Sequence, residues 1–272
     1  MKFIISKPLL ISSFIFFVLA SATFAEAKQI YGFSSVSGNY LDWTEKTEKR
    51  SEVSGLKRDF AYFEIEGGGG YDWGTLYGFL DIENPGASAD NSEGRGIRTA
   101  SKGAVTVKIY KTNWHGYGHV YQITTKGFQE QNRVLGFAYD FRRDRFWFQP
   151  FLGLHDVVSH VETPSEVAAS GTSFSGYNGF NGLMLGWLMS VDFRTLGQPF
   201  SFFWWHETEV NRNDRYGVKG IHKKNEGHNG ALSFWWKPEV KYSLGLQYRY
   251  ADHKLGTPSY QDASIFTLKY NL

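Results

Sequence analysis

Apolar and polar residues alternate with a period of two through most of this chain, and no segment sustains a 3.6-residue period. In Asp59 to Glu66, one set of positions reads Ala61, Phe63, Ile65 and the other Phe60, Tyr62, Glu64, Glu66. After four consecutive glycines, Leu76, Gly78, Leu80 and Ile82 oppose Thr75, Tyr77, Phe79, Asp81 and Glu83. Val105, Val107 and Ile109 oppose Thr106, Lys108 and Tyr110. Further on, Leu183, Leu185, Trp187, Met189 and Val191 oppose Gly182, Met184, Gly186, Ser190 and Asp192. Near the C-terminus, Tyr242, Leu244, Leu246, Tyr248 and Tyr250 oppose Ser243, Gly245, Gln247 and Arg249. These are strands with one apolar and one polar face, so the chain is expected to be all-β.

A soluble sandwich would alternate in the same way, and the connections decide between the two. Short ones (Gly67 to Asp72, Lys111 to Trp114, Arg142 to Arg145, Arg194 to Pro199, Lys237 to Glu239) take turns with long polar ones (Thr44 to Lys57, Asn84 to Lys102, Val157 to Tyr177, Val210 to Gly227). That asymmetry, with strand-like segments of roughly ten residues, predicts a transmembrane antiparallel up-and-down β-barrel of about 12 strands. An even count returns both termini to one side. Trp43, Trp187, Trp204, Trp236 and Tyr270 suit interfacial girdles, and Ser264 to Leu272 alternates as a closing strand does.

The first residues give the destination. Lys2 and Lys7, an apolar run from Leu9 to Ala20 and the small residues around Ala25 and Ala27 read as a signal peptide over 1–27, leaving a barrel over 28–272 in the bacterial outer membrane. There is no cysteine, which excludes disulfide scaffolds and thiol chemistry. The net charge of +2 falls to +1 once Lys2, Lys7 and Glu26 leave, so nucleic acid is not an expected partner. Aromatic residues make up 18% of the chain, and there are 30 glycines against 7 prolines, a composition suited to sheets with one greasy face and one wet face.

Four blocks carry a resemblance: YGFSSVSGNYLDW (Tyr31 to Trp43), KRDFAYFEIEGGGGYDWGTLYGFLDIENP (Lys57 to Pro85), FSFFWWHETEV (Phe200 to Val210) and GHNGALSFWWKP (Gly227 to Pro238). Together they resemble the Tsx/OmpK family of nucleoside-specific outer-membrane channels, the first two most specifically. The resemblance implies a twelve-stranded monomeric barrel with a narrow lumen that takes up nucleosides and deoxynucleosides passively, and external loops that serve phages or bacteriocins in some members. One departure is the final Leu272, where many outer-membrane barrels end in an aromatic residue.

A nucleoside is a flat base on a neutral, hydroxyl-rich sugar, so a selective lumen needs rings for the base and polar groups for the hydroxyls. The wet faces offer Phe60, Tyr62, Tyr77, Phe79, Phe203 and Trp205 as platforms, and Glu64, Glu66, Asp81, Glu83, Glu207 and Glu209 as hydroxyl partners. The same rings could simply fill a narrow barrel, and the same carboxylates could pair with Lys108, Arg145, Arg249 and Lys269. Tyr40 and Asp42 join the lumen in one register, Leu41 and Trp43 in the other. A general small-solute porin or a structural receptor is the alternative reading. Arg212, Arg215, Lys219, Lys223 and Lys224 form a loop cluster that could meet lipopolysaccharide phosphates.

Enzymatic signals are weak. No G-x-S-x-G surrounds a serine, the histidines do not converge beyond the His115/His119 spacing, and no metal or cofactor is expected. Gly67 to Gly74 cannot hold a G-x-G-x-x-G pattern, so Gly67 to Gly70 are expected to form a turn and the adjoining strand ends.

Overall fold

The computed structural model describes residues 27–51, 57–88, 96–161, 176–220 and 222–272, so nearly all of the expected signal peptide lies outside the described residues. The elements are β1 (Gln29–Trp43), α1 (Glu45–Ser51), β2 (Phe60–Tyr71), β3 (Gly74–Glu83), β4 (Arg98–Lys108), β5 (Trp114–Thr125), β6 (Phe128–Tyr139), β7 (Phe141–Arg143), β8 (Phe146–Val161), β9 (Gly176–Thr195), β10 (Gln198–Val210), β11 (Gly227–Trp236), β12 (Tyr242–Asp252) and β13 (Tyr260–Asn271). Each pairs antiparallel with its sequence neighbour, except that β6 pairs with β8 and the three-residue β7 is a side rung on β8. The pairing of β1 with β13, from Ser35↔Asn271 to Trp43↔Ala263, closes the ring. The result is a closed twelve-stranded barrel, which leaves no edge of unpaired backbone groups for lipid to meet.

The apolar sets face outward as the alternation predicts. Phe63, Ile65, Leu80, Leu135, Phe137, Leu152, Leu154, Leu246, Phe266 and Leu268 are all exposed on the outer wall. Trp114 against Tyr139 and Tyr242 against Tyr270 mark the short-turn rim with ring pairs 5.2 and 5.3 Å apart. His206 also faces outward. Its ring nitrogens lie 2.8 Å from the Tyr250 hydroxyl and 2.9 Å from that of Thr208, and the ring stacks on Trp187 at 4.4 Å, so its polarity is satisfied on the wall.

One open register is decided and one expectation changes. In β1, Leu41 and Trp43 join the interior while Tyr40 is exposed outside, because Asn39 pairs with inward Thr267 and Tyr62 and thereby fixes the register. The four glycines are not a turn: Gly67 to Gly70 are the body of β2, and the reversal is made at Asp72 and Trp73. Their pairs are Ser34, Phe33, Gly32 and Tyr31 of β1. A Cβ on Gly68 would stand 2.6 Å from the Leu76 carbonyl and 3.1 Å from the Phe33 ring, and one on Gly70 would strike the Tyr31 ring. The glycines are the floor on which two aromatic rings lie.

The short helix α1 in the β1–β2 connection begins at Thr44, whose hydroxyl accepts the Thr47 amide at 3.3 Å. Both threonine hydroxyls donate to the Asp262 carboxylate of β13, at 2.7 and 2.9 Å. Replacing Asp262 by Ala therefore frees α1. Its amides are expected to lose protection worth about 1–3 kcal/mol, read by hydrogen exchange, with the barrel unchanged.

Candidate functional site

The lumen is two unlike halves. On the β5–β10 side it is packed: Tyr117 stacks on Phe151 at 4.5 Å, and with Val134, Ala138 and Met184 they form a buried cluster. Above it the connection between β10 and β11 folds inward. Gly182 makes this possible. It holds φ +83°, with the Val210 and Asn211 carbonyls where a Cβ would go, and it shifts the alternation of β9 so that Asn181 points inward. Asn181 then accepts the Asn213 amide at 2.9 Å and anchors the loop.

Within that loop Tyr216 is buried against Val157, with Phe128 and Tyr177 alongside. Arg212, expected among the outer loop charges, is instead buried. Its Nε donates to Glu209 at 2.8 Å and its Nη1 to the Glu226 and His253 carbonyls at 3.0 and 2.8 Å. Lys254, from the β12–β13 connection, meets Glu209 at 2.9 Å and Glu207 at 3.6 Å. His222 joins the two loops by accepting the Gly256 amide at 3.3 Å. Burial and the Arg212 charge push its imidazole down to about 3. Burial, followed by Arg98, likewise pushes the Lys57 ammonium down to about 7, and its Nζ donates to the Leu255 carbonyl at 3.0 Å.

On the β1–β4 side the lumen is open at its short-turn end, below the buried cluster of Leu41, Phe60, Ala263 and Ile265. Tyr31, Phe33 and Tyr77 face inward yet keep 46%, 48% and 37% of their surface accessible, so their ring faces are available to a solute. Phe33 and Tyr77 stack at 6.3 Å, and Phe79 follows Tyr77 at the same spacing. Beside the rings, Glu66 accepts from the Tyr77 hydroxyl at 3.1 Å, from Ser35 at 3.2 Å and from Lys269. Glu64 is hydrogen-bonded to Asp81 and Ser37. A track of rings flanked by carboxyl and hydroxyl groups therefore runs along this wall.

The sequence-chosen residues separate within this frame. Tyr62, Glu64, Glu66, Tyr77, Phe79 and Asp81 share the β2–β3 wall. Glu83 pairs with Arg98 at 2.5 Å, and that guanidinium lies 4.5 Å over Phe60, which is buried. Trp205 carries the Arg249 guanidinium over its ring at 4.5 Å. Phe203 is inward between Ser190 and Ser233. Glu207 and Glu209 are taken up by lysine and arginine. Lys108 ends β4 at the short-turn rim and Arg145 lies in the β7–β8 turn, so of the four expected cations only Lys269 holds a carboxylate.

The effective partners are Lys102, Arg98, Lys254 and Arg212. Lys102 was legible, two steps along the Thr106–Lys108 face. Tyr31 and Phe33 belonged to a recognisable block whose register was undecided. His115 and His119 act separately: His115 Nδ1 lies 3.1 Å from the Asn113 carbonyl, and His119 Nδ1 2.7 Å from the Tyr117 hydroxyl.

The model of the nucleoside-specific channel-forming protein family, Tsx, matches residues 38–272. The chain belongs to this family. It is a channel protein of the bacterial outer membrane. Among solved structures, it is similar to the outer membrane channel DcaP of Acinetobacter baumannii, with 8% identity, a TM-score of 0.41 and coverage of 89% of this chain and 96% of that one. It is also similar to a BenF-like porin from Pseudomonas fluorescens Pf-5, with 7% identity, a TM-score of 0.33 and coverage of 91% and 99%. Neither bears on what passes through this lumen.

Proposed function

We propose that the channel passes nucleosides and deoxynucleosides passively and selectively along the β1–β4 wall, as a monomer and without catalysis. The observation that carries this reading is the row of accessible rings, Tyr31 and Phe33 laid on the glycine floor and Tyr77 stacked against Phe33, beside Glu66 and Glu64. Every base presents a π-face to such a ring, and a stacking contact contributes about 1–3 kcal/mol. The carboxyls beside the rings accept from the sugar hydroxyls. Ordering the ligand offsets most of this gain, leaving a net affinity near about 4 kcal/mol, or millimolar, which suits a pore that must release what it binds.

The signal peptide over 1–27 belongs to the same reading, as export requires it. Exposed Arg215, Lys219 and Lys223, on the outer side of the inward-folded loop, are left to meet lipopolysaccharide phosphates or a phage or bacteriocin.

The test is adenosine block of single-channel conductance in planar bilayers, with liposome swelling for flux. Wild type is expected to show block at millimolar adenosine and to pass nucleosides faster than sugars of equal size. Phe33→Ala and Tyr77→Ala are each expected to weaken block roughly tenfold, the equivalent of one lost stacking contact. Equal passage of nucleosides and sugars through the wild type would leave a general porin as the function.

A further inference from the structure

Two side chains from nearly opposite walls meet inside the barrel. Lys102 stands on β4 and Glu207 on β10, five strands apart one way round the ring and seven the other. Their charged ends are 2.5 Å apart. The contact does not stand alone: Lys254 descends from the β12–β13 connection to touch Glu207 and Glu209 together, and Glu209 holds Arg212. Side chains of β4, β10 and two loops therefore form one continuous ionic chain, and the His155 ring of β8 lies 3.8 Å from Glu209.

We propose that the Lys102–Glu207 pair, held from above by Lys254, is a partition that closes off the β5–β10 half of the lumen and sets the upper size of solute the channel admits. The proposal rests on the reading that solute travels along the ring-lined wall. On one side of the pair the interior is filled by Tyr117, Phe151, Met184 and the Tyr216 loop; on the other lie the accessible rings. Lys102 pairs with Phe79 of the ring-bearing wall and Glu207 stands on β10 at the filled side, so the pair stands between the two. Both keep a small exposed fraction, 18% and 11% of their side chains, as expected of groups at the edge of a wet passage.

An ion pair suits this place better than an apolar contact. Its members must cross a water-lined gap from opposite walls, and each reaches the other only as an extended charged side chain whose head would otherwise be drawn into water. Size exclusion is thereby assigned to residues different from those that grip the base. Glu207, offered by the sequence as a hydroxyl partner, acts instead through Lys102.

The experiment is conductance in planar bilayers, with swelling assays using raffinose as a bulky neutral probe. Lys102→Met is expected to raise single-channel conductance by at least about twofold and to admit raffinose, whereas Lys102→Arg, which keeps the charge and the reach, keeps wild-type exclusion. Adenosine block survives in both variants, because Phe33 and Tyr77 are untouched. Wild-type conductance and continued raffinose exclusion in a folded, heat-modifiable Lys102→Met channel would overturn the proposal. If that variant does not fold, Lys254→Met replaces it, and unchanged conductance and exclusion there overturn the proposal equally. Loss of exclusion with no adenosine block even in wild type would keep the partition and defeat the nucleoside path, so the two readings fail separately.

Discussion

Replacing Glu209 by Gln is expected to unseat the inward-folded loop while the barrel stays closed. Glu209 is fully buried between two cations, Arg212 at 2.8 Å and Lys254 at 2.9 Å. Lys254 keeps Glu207 as a second partner, but Arg212 has no other carboxylate within ion-pair distance among the described residues. Gln has the same shape and leaves a buried guanidinium uncompensated, a change that costs about 3–5 kcal/mol when one member of such a pair is removed. The twelve strands are joined by backbone ladders and lose nothing. The amides of Tyr216 and Gly217, which bond to the Asn213 carbonyl at 3.0 and 2.8 Å, should therefore exchange orders of magnitude faster while strand amides keep their protection. Unchanged exchange at Tyr216 would show that the loop is held by its packing on Val157 and not by the charge.

Acid is expected to release the same loop. His222 is buried with its imidazole held at about 3, against 6.5 for an ordinary histidine, because burial and the Arg212 charge both oppose a proton there. Lys254 and His253 add to that opposition and Glu209 works against it; the Tyr216 ring lies 5.0 Å away. Above pH 6.5 the group is neutral in both the seated and the released loop, and its contribution is complete. Between pH 6.5 and 3 the released loop binds the proton and the seated one does not, so stability falls with pH, by about 4–5 kcal/mol over the whole window. Limited proteolysis of the intact barrel at pH 7 and pH 4 reads the change. His222→Gln should flatten the pH dependence, and a slope that survives in that variant would place its origin elsewhere.

The outer wall was the most legible part of the molecule. A face against lipid must be apolar at every second position, and Leu183 to Val191 or Tyr242 to Tyr250 show that rhythm without interruption. The interior was legible only where it was charged in frame, as in Glu64 and Glu66. In β1 both faces mix small, polar and aromatic residues, so sequence alone could not choose between Tyr40 and Leu41, and Tyr31 and Phe33 went unassigned. Four glycines signal a turn in most contexts; here the deciding fact was the pair of rings above them, which belong to another strand. The inward-folded loops were beyond reach for a different reason. Arg212, His222 and Lys254 obey no period, and what buries them is the shape of the space they enter.

The Lys102–Glu207 contact also carries a consequence for the order of assembly. The two residues lie 105 positions apart in the chain and on nearly opposite walls, so nothing brings them together while the sheet is still flat. They meet when β1 finds β13, the pairing of greatest sequence separation and among the last that loop-closure entropy allows. An unfinished sheet is therefore a wide, ungated surface, and the step that seals the wall is also the one that narrows the hole.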